Sequence, residues 1–114
     1  PTAENVHAWR KRVKDLWYQL RLLEQAWPAP LAATAEQAHE LTELLGDHHD
    51  LAVLAEDLGS RWGVSGKASF EAAIERRQAE LLSEAQAIGA RLFAEKPKAF
   101  SGRLEAYWRA WRGR

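Results

Sequence analysis

Apolar residues recur at spacings of three and four along the whole chain, and no stretch alternates apolar with polar as a half-buried strand does. That period admits helices and argues against a sheet, so the predicted fold class is all-α. Four breakers divide the chain: Pro28-Ala29-Pro30, the stretch holding Gly59, Gly63 and Gly66, the Lys96-Pro97 step, and Gly113. Helices are predicted at about 3 to 26, 31 to 58, 68 to 95 and 98 to 111. Within the second, Leu45-Gly46-Asp47 reads as a stop followed by an Asp N-cap, a place for the helix to kink or split. Short connections between four such helices make an antiparallel four-helix bundle, a single unit spanning residues 1–114.

Composition narrows the chemistry. The chain has no Cys, which removes disulfides, thiolate metal sites and thiol nucleophiles together. No apolar run approaches the roughly 18 residues of a spanning helix, and the start lacks the basic-then-apolar layout of a secretory signal, so a non-membrane protein is predicted. The chain opens on Pro1 and contains no Met, which reads as a piece of something longer. Its net charge of zero hides a segregation: residues 28 to 60 hold seven Asp or Glu and no Lys or Arg, whereas residues 96 to 114 hold six Lys or Arg and one acid. Such segments are expected to pair with one another while leaving local basic surface for an anion.

That surface falls on the first helix. Val6, Trp9, Val13, Leu16, Leu20, Leu23 and Trp27 form its core face, and His7, Arg10, Lys11, Lys14, Tyr18, Arg21 and Gln25 form a second stripe. An amphipathic helix often has a solvated basic face and nothing more. Here, however, no acid lies on the stripe to relieve repulsion at i,i+3 and i,i+4, and Tyr18 and His7 add hydrogen-bond donors. Arginine takes two oxygens of one phosphate and lysine acts as a mobile point charge, so the array suits a polyanion whose charges repeat along a line.

On the second helix Glu36, His39, Glu43, Asp47, Asp50 and Asp57 share a side. His39, Glu43, Asp47 and Asp50 have a spacing that could hold a divalent metal, but di-metal bundles use two Glu-x-x-His motifs, and only Glu36-x-x-His39 occurs. No metal is therefore assigned. The simpler role for Asp47 and Asp50 is to orient cations of the first helix. His48 and His49 lie about 100° apart, so they are not expected to face one site, and at least one is expected to be exposed. No serine sits in a nucleophile elbow, and no phosphate-binding glycine loop is present. On the third helix Phe70, Ile74, Leu81, Ala85, Ile88 and Leu92 form the apolar stripe. Phe100, Leu104, Tyr107, Trp108 and Trp111 on the last read as core packing rather than stacking platforms, while Trp17 and Trp62 fit neither pattern.

The segments His7-Ala-Trp-Arg10-Lys11-Arg12-Val13-Lys14-Asp-Leu16-Trp17-Tyr18 and Leu44-Leu45-Gly46-Asp47-His48-His49-Asp50-Leu51-Ala52-Val53-Leu54 together resemble the CHAD family, the conserved histidine α-helical domain. Leu92-Phe93-Ala-Glu-Lys96-Pro97-Lys98-Ala-Phe100 is similar to that family's lead into its last helix. The resemblance implies a helical domain of two similar bundles that binds inorganic polyphosphate, of which this chain matches the C-terminal one. It implies a cytoplasmic location, with association to polyphosphate granules. The implied partner is the missing N-terminal half or a second copy of the chain, with no membrane and no specific nucleic acid. His7, Arg10 and Lys14 carry over as polyanion contacts, and Asp47 and Asp50 as the matching acidic positions. Trp17 departs from the pattern, standing where the family usually has Arg.

The combined expectation is non-catalytic polyphosphate binding by His7, Arg10, Lys11, Lys14 and Arg21, with Tyr18 assisting and no cofactor. Binding should strengthen below about pH 6.5 through His7. The alternatives are a metal-dependent phosphohydrolase or phosphotransferase using His39, Glu43, Asp47 and Asp50, and a helical nucleic-acid or protein interaction module. A stripe without exposed stacking rings should prefer polyphosphate to RNA.

Overall fold

Thr2 starts the first helix by accepting the Asn5 N–H at 3.1 Å, satisfying one of the donors a helix N-terminus leaves free. The computed structural model describes residues 2–61 and 67–113, so Trp62, Gly63 and Gly66 lie outside the described residues. Within them are α1 (Ala3–Leu23), a 3-10 turn (Glu24–Ala26), α2 (Pro28–Arg61), α3 (Lys67–Leu92) and α4 (Pro97–Arg112). The fold is all-α, a bundle of antiparallel helices with no strand among the described residues.

The predicted break at the prolines falls just before them, at Trp27, and the predicted split at Gly46 does not occur. Pro28 and Pro30 begin α2 rather than preceding it, because first-turn residues need no intrahelical N–H bond and proline's fixed φ already suits a helix. Gly46 does not split α2, which runs unbroken for 34 residues, about 51 Å at 1.5 Å per residue. Packing on two flanks overrides the local stop signal, and Gly46 serves a neighbour instead.

α2 is the central helix, with α1 along one flank and α3 along the other. The core interleaves Val6, Val13 and Leu20 of α1, Leu31, Ala35, Ala38, Leu41 and Leu45 of α2, and Ala85 and Ile88 of α3. Trp9, Leu16 and Leu23 pack against it. Trp27 does not join them: it is 50% exposed and meets Tyr107 edge-on at 4.8 Å. At Trp27 the backbone leaves the helix (φ −158°, ψ 89°), so the helical spacing counted from Leu23 no longer applies.

His7 stacks on His49, and the Gln78 amide donates to the His48 carbonyl at 3.3 Å, so α1 and α3 are level at that point of α2. α3 therefore runs two further turns past the start of α1, alongside α2. There Phe70, predicted in the apolar stripe, is 40% exposed, while Ile74 is buried. α4 closes the opposite end. Phe100, Leu104 and Tyr107 pack on the core as expected, and Trp108 and Trp111 lean on each other at 5.2 Å. Arg103 clamps α4 to the preceding loop, donating to the Glu95 carboxylate at 3.0 and 3.2 Å and to the Tyr107 hydroxyl at 3.1 Å.

Candidate functional site

Of the α1 stripe, His7 and Arg10 lie against α2 and Lys14 is half-buried, whereas Lys11, Tyr18 and Arg21 are exposed. Antiparallel packing sets His-x-x-Arg at residues 7 and 10 beside Gly-x-x-His at residues 46 and 49, with three-residue spacings that match. The rings of His7 and His49 stack at 4.8 Å with 24° between planes. One turn on, the Arg10 guanidinium lies over Gly46, where a Cβ would come within 3.3 Å of both Nε and Nη2. A side chain at residue 46 would press on this group and shift it by a few tenths of an ångström.

His7 Nδ1 and Arg10 Nε are both buried without a hydrogen-bond partner. The two unpartnered atoms lie one turn apart on α1, where it packs on Gly46 and His49. None of Arg10, Lys11, Arg12, Lys14 and Arg21 is in an ion pair with a described residue, although the acidic helix is adjacent. The expected pairing between α1 and α2 is thus not made. Ion pairs form within helices instead, as Lys67–Glu71 at 3.9 Å and Arg77–Glu80 at 3.1 Å, apart from the Glu95–Arg103 clamp.

Further along, the row changes character. Lys14 is half-buried, and at the next turn Trp17 takes the seam position, 4.8 Å from the His39 ring and 4.9 Å from Tyr18. Arg21 comes next, in a hollow it shares with Trp17, Glu24, Glu36 and His39. His7, Arg10, Lys11 and Lys14 form one cluster, and Tyr18 and Arg21 stand beyond the indole. The view of a stripe without stacking rings does not hold.

Asp47 and Asp50 are exposed and line a shallow hollow with Arg77 and Leu81 of α3. No ion pair or hydrogen bond joins them to the α1 cations, so the predicted orienting contact is not present. His39 and Glu43 bond each other at 3.2 Å, and among the described residues no three His, Asp or Glu converge to hold a metal. The ligand set of the metal-dependent alternative is therefore not assembled. His48 is buried and His49 half-buried, so neither is exposed as expected: residues 100° apart on a central helix can both be covered, one by each neighbour.

Burial lowers the pKa of His7 below its ordinary value, with Lys11, His49 and Arg10 adding repulsion. His48 is lowered too, by burial first and by His49 second. Both favour the neutral form in the fold. Below about pH 6.5 the unfolded chain binds these protons and the fold resists them, so stability falls as pH drops through that window and levels off above it. Thermal unfolding followed by circular dichroism should give a lower midpoint at pH 5.5 than at pH 7.5, and His48→Gln should flatten the difference. An equal or higher midpoint in acid contradicts this reading.

Sequence reasoning missed His49, Gly46 and Trp17, although the matched spacings of His7-x-x-Arg10 and Gly46-x-x-His49 were a usable signal for the first two. A family model for the CHAD domain matches residues 1–59, which cover α1 and nearly all of α2. The comparisons with curated proteins and with solved structures found no match. No helix among the described residues is long and apolar enough to cross a membrane.

Proposed function

The chain belongs to the CHAD domain family, and on that premise we propose that it binds inorganic polyphosphate, without turning it over, along the seam between α1 and α2. The observation that supports this reading is a row of α1 cations, Arg10, Lys11, Lys14 and Arg21, with no acidic partner among the described residues although the acidic helix is adjacent. Arg10, held flat over Gly46, grips phosphoryl oxygens; His7, Lys11 and Lys14 flank it. Tyr18 and Arg21 extend the row beyond Trp17. Asp47 and Asp50 stay outside it. The N-terminal half of such a domain, or a second copy of this chain, would supply further cations across the groove, and a polyphosphate granule is the proposed setting.

Bound polyanion favours protonated His7, raising a pKa that the free protein holds below 6.5. Binding therefore takes up a proton, and affinity rises as the pH falls below about 6.5. Removing a charge-assisted contact costs about 1.5–3 kcal/mol, so Arg10→Ala should weaken polyphosphate binding by tenfold or more in a calorimetric titration. Arg76→Ala, an exposed cation of α3, should leave it unchanged. Equal losses in both variants would reduce the site to diffuse charge. Orthophosphate release on adding Mg²⁺ or Mn²⁺ would favour the phosphohydrolase reading instead.

A further inference from the structure

Resting on the polyphosphate reading, we infer that the seam also accepts a nucleoside polyphosphate, whose base seats at Trp17 and whose phosphates run toward His7. Inorganic polyphosphate explains the cations at residues 7 to 14, but not the groups one turn beyond Lys14. Next to Trp17 lies a hollow of about 420 Å³ whose walls include Arg21, Glu24, Glu36 and His39. That is within the size of small-molecule clefts, ~300–1,000 Å³. Arg21 can meet a phosphate here, but Glu24 and Glu36 have no favourable contact to offer a bare polyanion. Ionised carboxylates accept hydrogen bonds and cannot donate them, so they suit a neutral group edged with N–H donors.

A nucleobase has both properties: flat faces that stack on an indole and an imidazole, and a donor-bearing edge. The Trp17 and His39 rings, 4.8 Å apart with 34° between their planes, form one aromatic wall of this hollow, and Trp17 is only half-buried. Among bases, guanine presents two adjacent N–H donors that one carboxylate can take together, so guanine should be favoured. From Trp17, Lys14 stands one turn toward the N-terminus, with Arg10 and His7 beyond it, ten residues and ~15 Å in all. Phosphates leaving a base at Trp17 in that direction meet the cations in order.

The experiment compares guanosine triphosphate, uridine triphosphate, inorganic tripolyphosphate and long-chain polyphosphate by calorimetry on the intact chain, with tryptophan fluorescence read in parallel. Guanosine triphosphate should bind about tenfold more tightly than tripolyphosphate, near the lower end of what one stacked base contributes, and more tightly than uridine triphosphate. Trp17→Arg should erase the nucleotide's advantage while tripolyphosphate binds as well or better, and Glu36→Gln should narrow the gap between guanine and uracil. Tripolyphosphate binding as tightly as guanosine triphosphate to the unmodified chain overturns this inference and leaves polyphosphate binding intact. If neither nucleotides nor polyphosphate bind, both readings fall. The unmodified-chain comparison needs no variant, so a misfolded Trp17→Arg would not rescue the idea.

Discussion

Raising the salt concentration from about 50 to about 200 mM should weaken polyphosphate binding roughly 50- to 150-fold. The cause is counterion release: each phosphate neutralised by Lys or Arg frees condensed cations, and affinity falls with a log–log slope of about 0.7–0.9 per contact on nucleic acids. Four contacts, from Arg10, Lys11, Lys14 and Arg21, give a slope near 3 and the stated loss over a fourfold rise in salt. Existing ion pairs would blunt the effect, because the phosphate would have to displace an acid already in place. None of these four side chains has one among the described residues. Titration at the two salt concentrations measures the ratio directly. A change smaller than about threefold would mean that the α1 cations do not carry the affinity.

Leu41→Ala should lower the thermal midpoint by well over 10 °C. Leu41 is completely buried in the central helix, where α1 and α3 both pack. Truncating such a residue costs about 2–5 kcal/mol in transfer free energy and cavity, against about 5–15 kcal/mol for a whole domain. For a chain near this length each kcal/mol moves the midpoint by ~4–8 °C. Leu22, 78% exposed on α1, supplies the contrast, since its truncation should stay within about 0.5 kcal/mol. Thermal scans of both variants test the assignment of the core, and a drop of only a few degrees for Leu41→Ala would contradict it.

How much the sequence revealed depends on which forces are local. Apolar period alone placed Val6, Val13 and Leu20 on one face, because a helix repeats its geometry wherever it goes. The same logic failed at Trp27, where the chain leaves the helix before the count is complete. Gly46 was misread because a glycine before an aspartate is a local stop signal, whereas its observed role depends on a guanidinium 36 residues earlier in the chain. His48 and His49 were correctly set apart in angle, yet both are covered, which only the central position of α2 explains. Asp47 and Asp50 share a helix side with His39 in sequence, but over nearly three turns they come to line the α3 boundary. Of the site, the cations were legible as a stripe. Their lack of partners and the indole among them were not, since both depend on what the neighbouring helix brings opposite.

The long central helix also governs how the molecule moves. The Cα extents are 67 × 21 × 20 Å and the radius of gyration is 18.3 Å, where a rounded domain of this length would have about 13 Å. A rod of this shape drags more solvent than its mass suggests. On a sizing column it would elute early, in the position of a heavier globule, and a monomer could pass for a pair. Scattering or sedimentation, which weigh the particle, are the means to tell whether two chains have truly joined.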